Sequence, residues 1–183
     1  MNAISGSIAS YERLRGRTYR ITIENGTQFE LKFDTERYHH LAGFQHIQDI
    51  AYIAQPERGM RRFYSELKNG RISADKIIKS RWFSEIEERL AHFPDIERIL
   101  QPGEGKIIVD FDMDAAGSVI NARYHLFQRS GSVFTGEAVT YSILFIGHDA
   151  KSNRYYPATF VVEHSNKYLV NQIFLDCTIT VDS

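Results

Sequence analysis

Apolar and polar residues alternate along Thr18–Glu24 and again along Phe29–Phe33, with Asn25-Gly26 between them. Period-two alternation around an Asn-Gly pair predicts two strands joined as a hairpin. Ahead of it, Ser7–Arg15 reads as a short leading helix. After Phe33 the apolar spacing lengthens to the helical period. Asp34 or Thr35 caps a helix expected to run to about Ala54, with Glu36 favourable in its first turn and Pro56 interrupting it. Arg58–Leu67 is a second expected helix, stopped by Asn69-Gly70. Ser73 caps a short third with Ile77 and Ile78 inward. Ser80 or Ser84 opens a fourth carrying Phe83, Ile86 and Leu90, and Pro94–Leu100 adds one more segment.

Beyond Pro102-Gly103 the alternation returns. Lys106–Phe111, Val119–Phe127, Val139–Gly147, Ala158–His164 and Ile173–Val181 read as strands. Their joints are short and rich in Gly, Ser, Asn and Asp, which implies antiparallel pairing. The fold class is α+β: an N-terminal hairpin and helices packed on a C-terminal antiparallel sheet of about four to five strands. The chain of 183 residues suits one domain. Within it, 1–17 is a leading segment, 18–33 the hairpin, 34–100 the helical region and 105–181 the sheet.

Composition adds little to this picture: 43% hydrophobic and 25% charged residues are ordinary for a globular chain. The single cysteine, Cys177, excludes an internal disulfide and points to a reducing compartment. Met1–Ser10 lacks the pattern of a secretory signal, and no apolar run is long enough for a membrane helix. A soluble cytoplasmic protein with no membrane contact is expected. The net charge of −1 argues against a protein that coats nucleic acid broadly. Charge is nonetheless uneven. Pro56–Arg81 holds eight Lys and Arg (Arg58, Arg61, Arg62, Lys68, Arg71, Lys76, Lys79, Arg81) against three acids. Such a stretch is either a solvated helical surface or a focused anion site.

Three of the seven histidines fall within Tyr38–His46. On a continuous helix, His40 shares a face with Leu41, Phe44 and Ile47, whereas His39 and His46 share a flank. His40 is then either a satisfied core histidine or a proton donor or acceptor at the base of a cleft. His39 and His46 would stand roughly 10 Å apart on such a helix, too far to share one metal ion. No metal or other cofactor is expected. Gly43, inside the same segment, hints at the close approach of a backbone or a ligand. Arg123 and His125 alternate on one strand face with Asn121. Ser80-Arg81 at a helix start is either an N-cap or an anion site.

The order of these pieces resembles a known family. An alternating strand ending in Phe33 leads to His40-Leu41-x-Gly43-Phe44. Then come Lys79-Ser80-x-x-Phe83, Arg89 six residues further on, a Thr159-Phe160 strand and a late Tyr168. This pattern, from about Gln28 to Ile173, is similar to the phage-associated barnase–EndoU–colicin–RelE-like nucleases, in particular the fourth family of that group. The resemblance implies helices followed by a four-stranded antiparallel sheet, and a metal-independent, toxin-like endoribonuclease of a phage or mobile element. By position it selects His40, Ser80, Thr159 and, less directly, Arg123 as catalytic. Arg81, His39, His46 and Tyr168 are the candidate substrate-binding residues. His39 beside His40 departs from the family pattern. The implied partners are an RNA substrate, with tRNA among the candidates, and an immunity or antitoxin protein; the exposed sheet edges leave a dimer open. Two other readings stand beside it. One is a non-enzymatic nuclease-like module that binds a protein or nucleic acid. The other is a metal-dependent hydrolase built on His39 or His46.

Overall fold

The computed structural model describes residues 2–56, 59–132 and 134–182. Arg58, counted above in the basic stretch and at the start of the second expected helix, lies outside the described residues. Helix α1, Ala3–Leu14, begins four residues earlier than the sequence pattern suggested. Asn2 caps it, its side chain accepting from the Ser5 amide at 2.8 Å. Ile4, Ser7, Tyr11 and Leu14 are its buried face, spaced at the helical period.

The strands are β1 (Thr18–Ile23), β2 (Gln28–Lys32), β3 (Gly103–Asp110), β4 (Tyr124–Ser130), β5 (Thr140–Asp149), β6 (Arg154–Glu163) and β7 (Ile173–Asp182). They form a single antiparallel sheet in the order β2-β1-β7-β3-β4-β5-β6. The expectation of four to five strands is therefore too low. The hairpin is not a separate layer: β1 pairs with β7 from Thr18 opposite Asp182 to Ile23 opposite Cys177. That register sets Ile21 across from Ile179, both buried on the concave face, so the hairpin extends the same hydrophobic surface. The sheet curls until its ends nearly meet as a barrel. Phe29 on β2 stacks on Tyr155 of β6 at 4.2 Å, although β2 and β6 remain the two ends of the strand order. Strand β4 starts five residues later than expected, at Tyr124. The segment before Arg123 lies off the ladder, with Val119 almost fully exposed.

The helical region fills the concave side. The long helix expected from Asp34 to Ala54 breaks into α2 (Tyr38–Ala42), a 3₁₀ turn at Phe44–His46, and α3 (Ala51–Ala54). Gly43 is the cause. Its φ of 83° is left-handed, and its amide reaches back to the His39 and His40 carbonyls, which ends α2. Helices α4 (Met60–Lys68), α5 (Ala74–Ile78), α6 (Ser84–Ala91) and α7 (Asp95–Ile99) follow. In α5 only Ile77 is buried; Ile78 is 37% exposed, since a helix this short presents one residue to the core. Phe44, Phe63, Ile86, Leu90 and Phe93 pack with Leu126, Leu144 and Phe160 of the sheet in one core. Asp95 ties α7 to the sheet, accepting from Ser142 on β5 at 2.7 Å as well as from His92 and Arg98. A second, smaller core of Phe111, Ile143 and Phe145 lies on the opposite face of the sheet, with Tyr168 packed against it. No helix among the described residues is long and apolar enough to cross a membrane.

Candidate active site

The break at Gly43 decides where the histidines point. His39, not His40, is the buried member of the pair, and its Nε2–H donates to the Ile53 carbonyl at 2.6 Å. Burial pushes its pKa down to about 4, so it is a neutral core residue near pH 7. His40 is exposed, which corrects its expected place on the packed face. The face was derived for a continuous helix, whereas α2 spans five residues and enters the core at its own angle. Residual burial and the neighbouring Arg37 charge lower the His40 pKa. His46 does not share a flank with His39, because the left-handed residue between them redirects the chain.

His46 instead lines a cleft of about 490 Å³ on the outer edge of β6. Gln45, His46 and Arg89 come from the helical side; Thr159, Glu163, Asn121 and Tyr168 come from the sheet and its loops. Arg89 is the unusual group. It projects from α6 toward Gly43, and a Cβ at that glycine would lie 2.7 Å from its Nη1. The glycine thus both ends α2 and leaves room for the guanidinium. Nη1 is buried without a hydrogen-bond partner, as is Oε1 of Gln45. Desolvation of Arg89 lowers its pKa, opposed by Tyr168 and Glu163. An arginine still carries its charge in such a setting, so the cleft holds a cation with no hydrogen-bonded carboxylate among the described residues. Burial lowers the His46 pKa as well; Arg89 adds to this and Glu85 opposes it. The imidazole is therefore neutral near pH 7 and able to accept a proton.

Tyr168 is held by the smaller core. His125, fully buried, donates from Nε2 to the Tyr168 carbonyl at 3.0 Å, and the Tyr168 ring packs edge-on to Phe145 at 5.2 Å. Lys167 lies 4.8 Å from the same ring and pairs with Glu163 at 2.6 Å.

The other expected site residues are elsewhere. Ser80 donates to Asp49 at 2.5 Å and accepts from the Trp82 amide, so it staples a loop. Arg81 is exposed, 5.7 Å from the Trp82 ring, with its amide on Asp49. Arg123 forms a two-pronged pair with Asp110, both contacts 2.9 Å, on the wall of a different hollow. The structure brings Thr159, His46 and Tyr168 together and adds Arg89, Gln45 and Asn121; it does not bring Ser80, Arg81 or Arg123 to them. Much of the basic stretch is also engaged: Arg62 pairs with Glu66, Arg61 with Glu36, and Lys68 with Glu12. Among the described residues no group of three or more His, Cys, Asp or Glu is arranged to hold a metal ion.

Residues 3–179 match the profile of a family described as phage-Barnase-EndoU-ColicinE5/D-RelE like nuclease4, PBECR4. The chain belongs to the PBECR4 family. No curated protein and no solved structure matches it. Membership in PBECR4 makes this a phage-type nuclease chain and makes its substrate class nucleic acid. Among PBECR4 features named from the sequence, Arg89 carried no assigned role. Its signal was legible: it sits three residues after Ile86 and one before Leu90, at the margin of an otherwise apolar stripe.

Proposed function

We propose that this PBECR4 protein is an endoribonuclease that cleaves RNA in the His46–Arg89 cleft by attack of the ribose 2′-hydroxyl. The observation that supports this is the half-buried Arg89 guanidinium, its Nη1 without a hydrogen-bond partner, in the same cleft as the His46 imidazole beside β6. A guanidinium in a partly desolvated cleft matches the oxygens of a phosphodiester and gains strength from the low local dielectric. His46 accepts the 2′-hydroxyl proton as the oxygen bonds to phosphorus. The bond from phosphorus to the 5′ oxygen breaks, and that oxygen takes a proton from the Tyr168 phenol. The products carry a 2′,3′-cyclic phosphate and a 5′-hydroxyl. Thr159, Asn121 and Gln45 position the phosphate and ribose by hydrogen bonding. The setting we propose is that of a toxin-like enzyme of a phage or mobile element, whose immunity protein would have to cover this cleft.

The test is cleavage of single-stranded RNA and tRNA by the parent, His46→Ala, Arg89→Met and His40→Ala proteins, with product ends identified. His46→Ala and Arg89→Met should each lower kcat/KM by about a hundredfold or more, while His40→Ala retains most activity. Loss confined to His40→Ala would move the reaction out of this cleft and defeat the proposal.

A further inference from the structure

Strand β6 pairs only with β5, so its outer edge carries no further strand ladder, although β2 and α2 pack near it. The cleft described above occupies the Ala158–Glu163 part of that edge. The Arg154–Tyr156 part lines a second and larger groove of about 1010 Å³, closed on its far side by β2 and by Arg37 at the start of α2. The two hollows are consecutive stretches of one edge, separated by Pro157.

The groove has the parts of a single-strand binding surface. The Arg37 guanidinium lies 4.1 Å from the centre of the half-exposed Tyr156 ring. Tyr156 lies across Gly147 of β5, where a Cβ would run into the ring, so the glycine fixes its position. Behind it, Tyr155 is stacked between Phe29 at 4.2 Å and His148 at 4.4 Å. Neither Arg37 nor Arg154 has a carboxylate partner among the described residues. Of the acids present, Glu30 pairs with Arg20 and Lys32, while Asp149 accepts from Ser152 and the Lys151 amide and keeps its charge. Asp34 also lines the groove. A protein strand would find this edge poor for pairing. Pro157 offers no N–H there, and the ladder to β5 shifts register between Phe145 and Ile146.

We propose that the groove holds the single-stranded RNA that flanks the scissile phosphate, with its backbone on Arg154 and on Arg37, which swings off the Tyr156 ring so that a base takes its place there. This rests on the reading of the adjoining cleft as an RNA-cleaving site. Stacking on aromatic rings beside cations is how single strands are gripped without sequence preference, and every base has a face to offer.

The experiment compares a minimal dinucleotide substrate with a single-stranded RNA of about twelve nucleotides, using the parent and the Arg37→Ala/Arg154→Ala protein. On the longer RNA the double variant should lose about tenfold in kcat/KM, through KM, and its logarithmic salt slope should shrink by about 1.4 for two lost phosphate contacts. On the dinucleotide it should match the parent. Equal loss on both lengths, or no loss on either, overturns the proposal. Binding of a 2′-O-methyl oligomer, followed by fluorescence anisotropy, separates the groove from the chemistry. If the parent cuts no RNA, weaker oligomer binding by the double variant still supports the groove, and unchanged binding overturns it.

Discussion

Gly43→Ala tests the link between backbone and site at one position. Gly43 sits at φ 83°, where an L-residue with a Cβ costs about 1–2 kcal/mol over glycine. The added Cβ would also lie 3.1 Å from Cγ2 of Ile86 and 2.7 Å from Nη1 of Arg89. Ile86 is fully buried and has little room to yield, whereas Arg89 borders an open cleft and can swing away. The backbone cost should therefore appear as lost stability, and the steric cost as a displaced guanidinium. For a chain of this size, 1–2 kcal/mol corresponds to a Tm lower by about 2–8 °C. Displacing Arg89 should lower kcat/KM by about tenfold or more. A double-mutant cycle with Arg89→Met separates the two effects, with melting followed by circular dichroism and activity by RNA cleavage. In the Arg89→Met background, Gly43→Ala should still lower Tm but should no longer change cleavage. The reasoning fails if Gly43→Ala melts with the parent, or if the two activity losses simply multiply.

Two further outcomes concern stability. His39 and His125 are held neutral by burial, their pKa values lowered from 6.5 to about 4. Between those values the unfolded chain binds protons that the folded chain refuses, so stability is full above pH 6.5 and falls as pH drops toward 4, by up to about 3 kcal/mol per histidine. Urea midpoints measured from pH 7.5 to 4.5 check this, and a flat profile would refute it. Asp95→Ala removes the acceptor shared by Ser142, His92 and Arg98, and strands the buried Ser142 hydroxyl. A loss of about 1–3 kcal/mol in denaturant unfolding is expected, and a change within error would mean that Ser142 finds another partner.

The fold was legible where one local signal dominated. Alternation placed each strand ladder to within a few residues, apart from the late start of β4, and Asn25-Gly26 located the hairpin turn. Local patterns do not encode which strand pairs with which. The union of β1 with β7 is made by residues about 160 positions apart, and it becomes evident only when Ile21 and Ile179 are seen to share one buried face. The error of greatest consequence came from Gly43. The apolar spacing continues through Gly43 as through a helix interior, whereas in the fold its role is to end the helix.

That single boundary explains most of what the sequence could and could not say about the site. Facing directions computed through Gly43 put His40 inward and paired His39 with His46; once the chain turns at Gly43, His39 goes inward, His40 outward, and His46 reaches the cleft. At the same glycine the sequence suggests the approach of a backbone or a ligand; what comes close is a side chain, Arg89, from a helix more than forty residues later that spacing could not name. Thr159 and Tyr168, taken from the family resemblance, stand on the edge strand and in the loop after it, and both line the cleft. Ser80 and Arg123 were plausible for the opposite reason. Their polarity at element ends is equally well used by a loop staple and a surface ion pair, and the partners that use it, Asp49 and Asp110, are contacts of the folded chain. A polar residue near a motif becomes a stronger site candidate when the fold leaves it unsatisfied, and in the His46–Arg89 cleft Arg89 and Gln45 meet that condition.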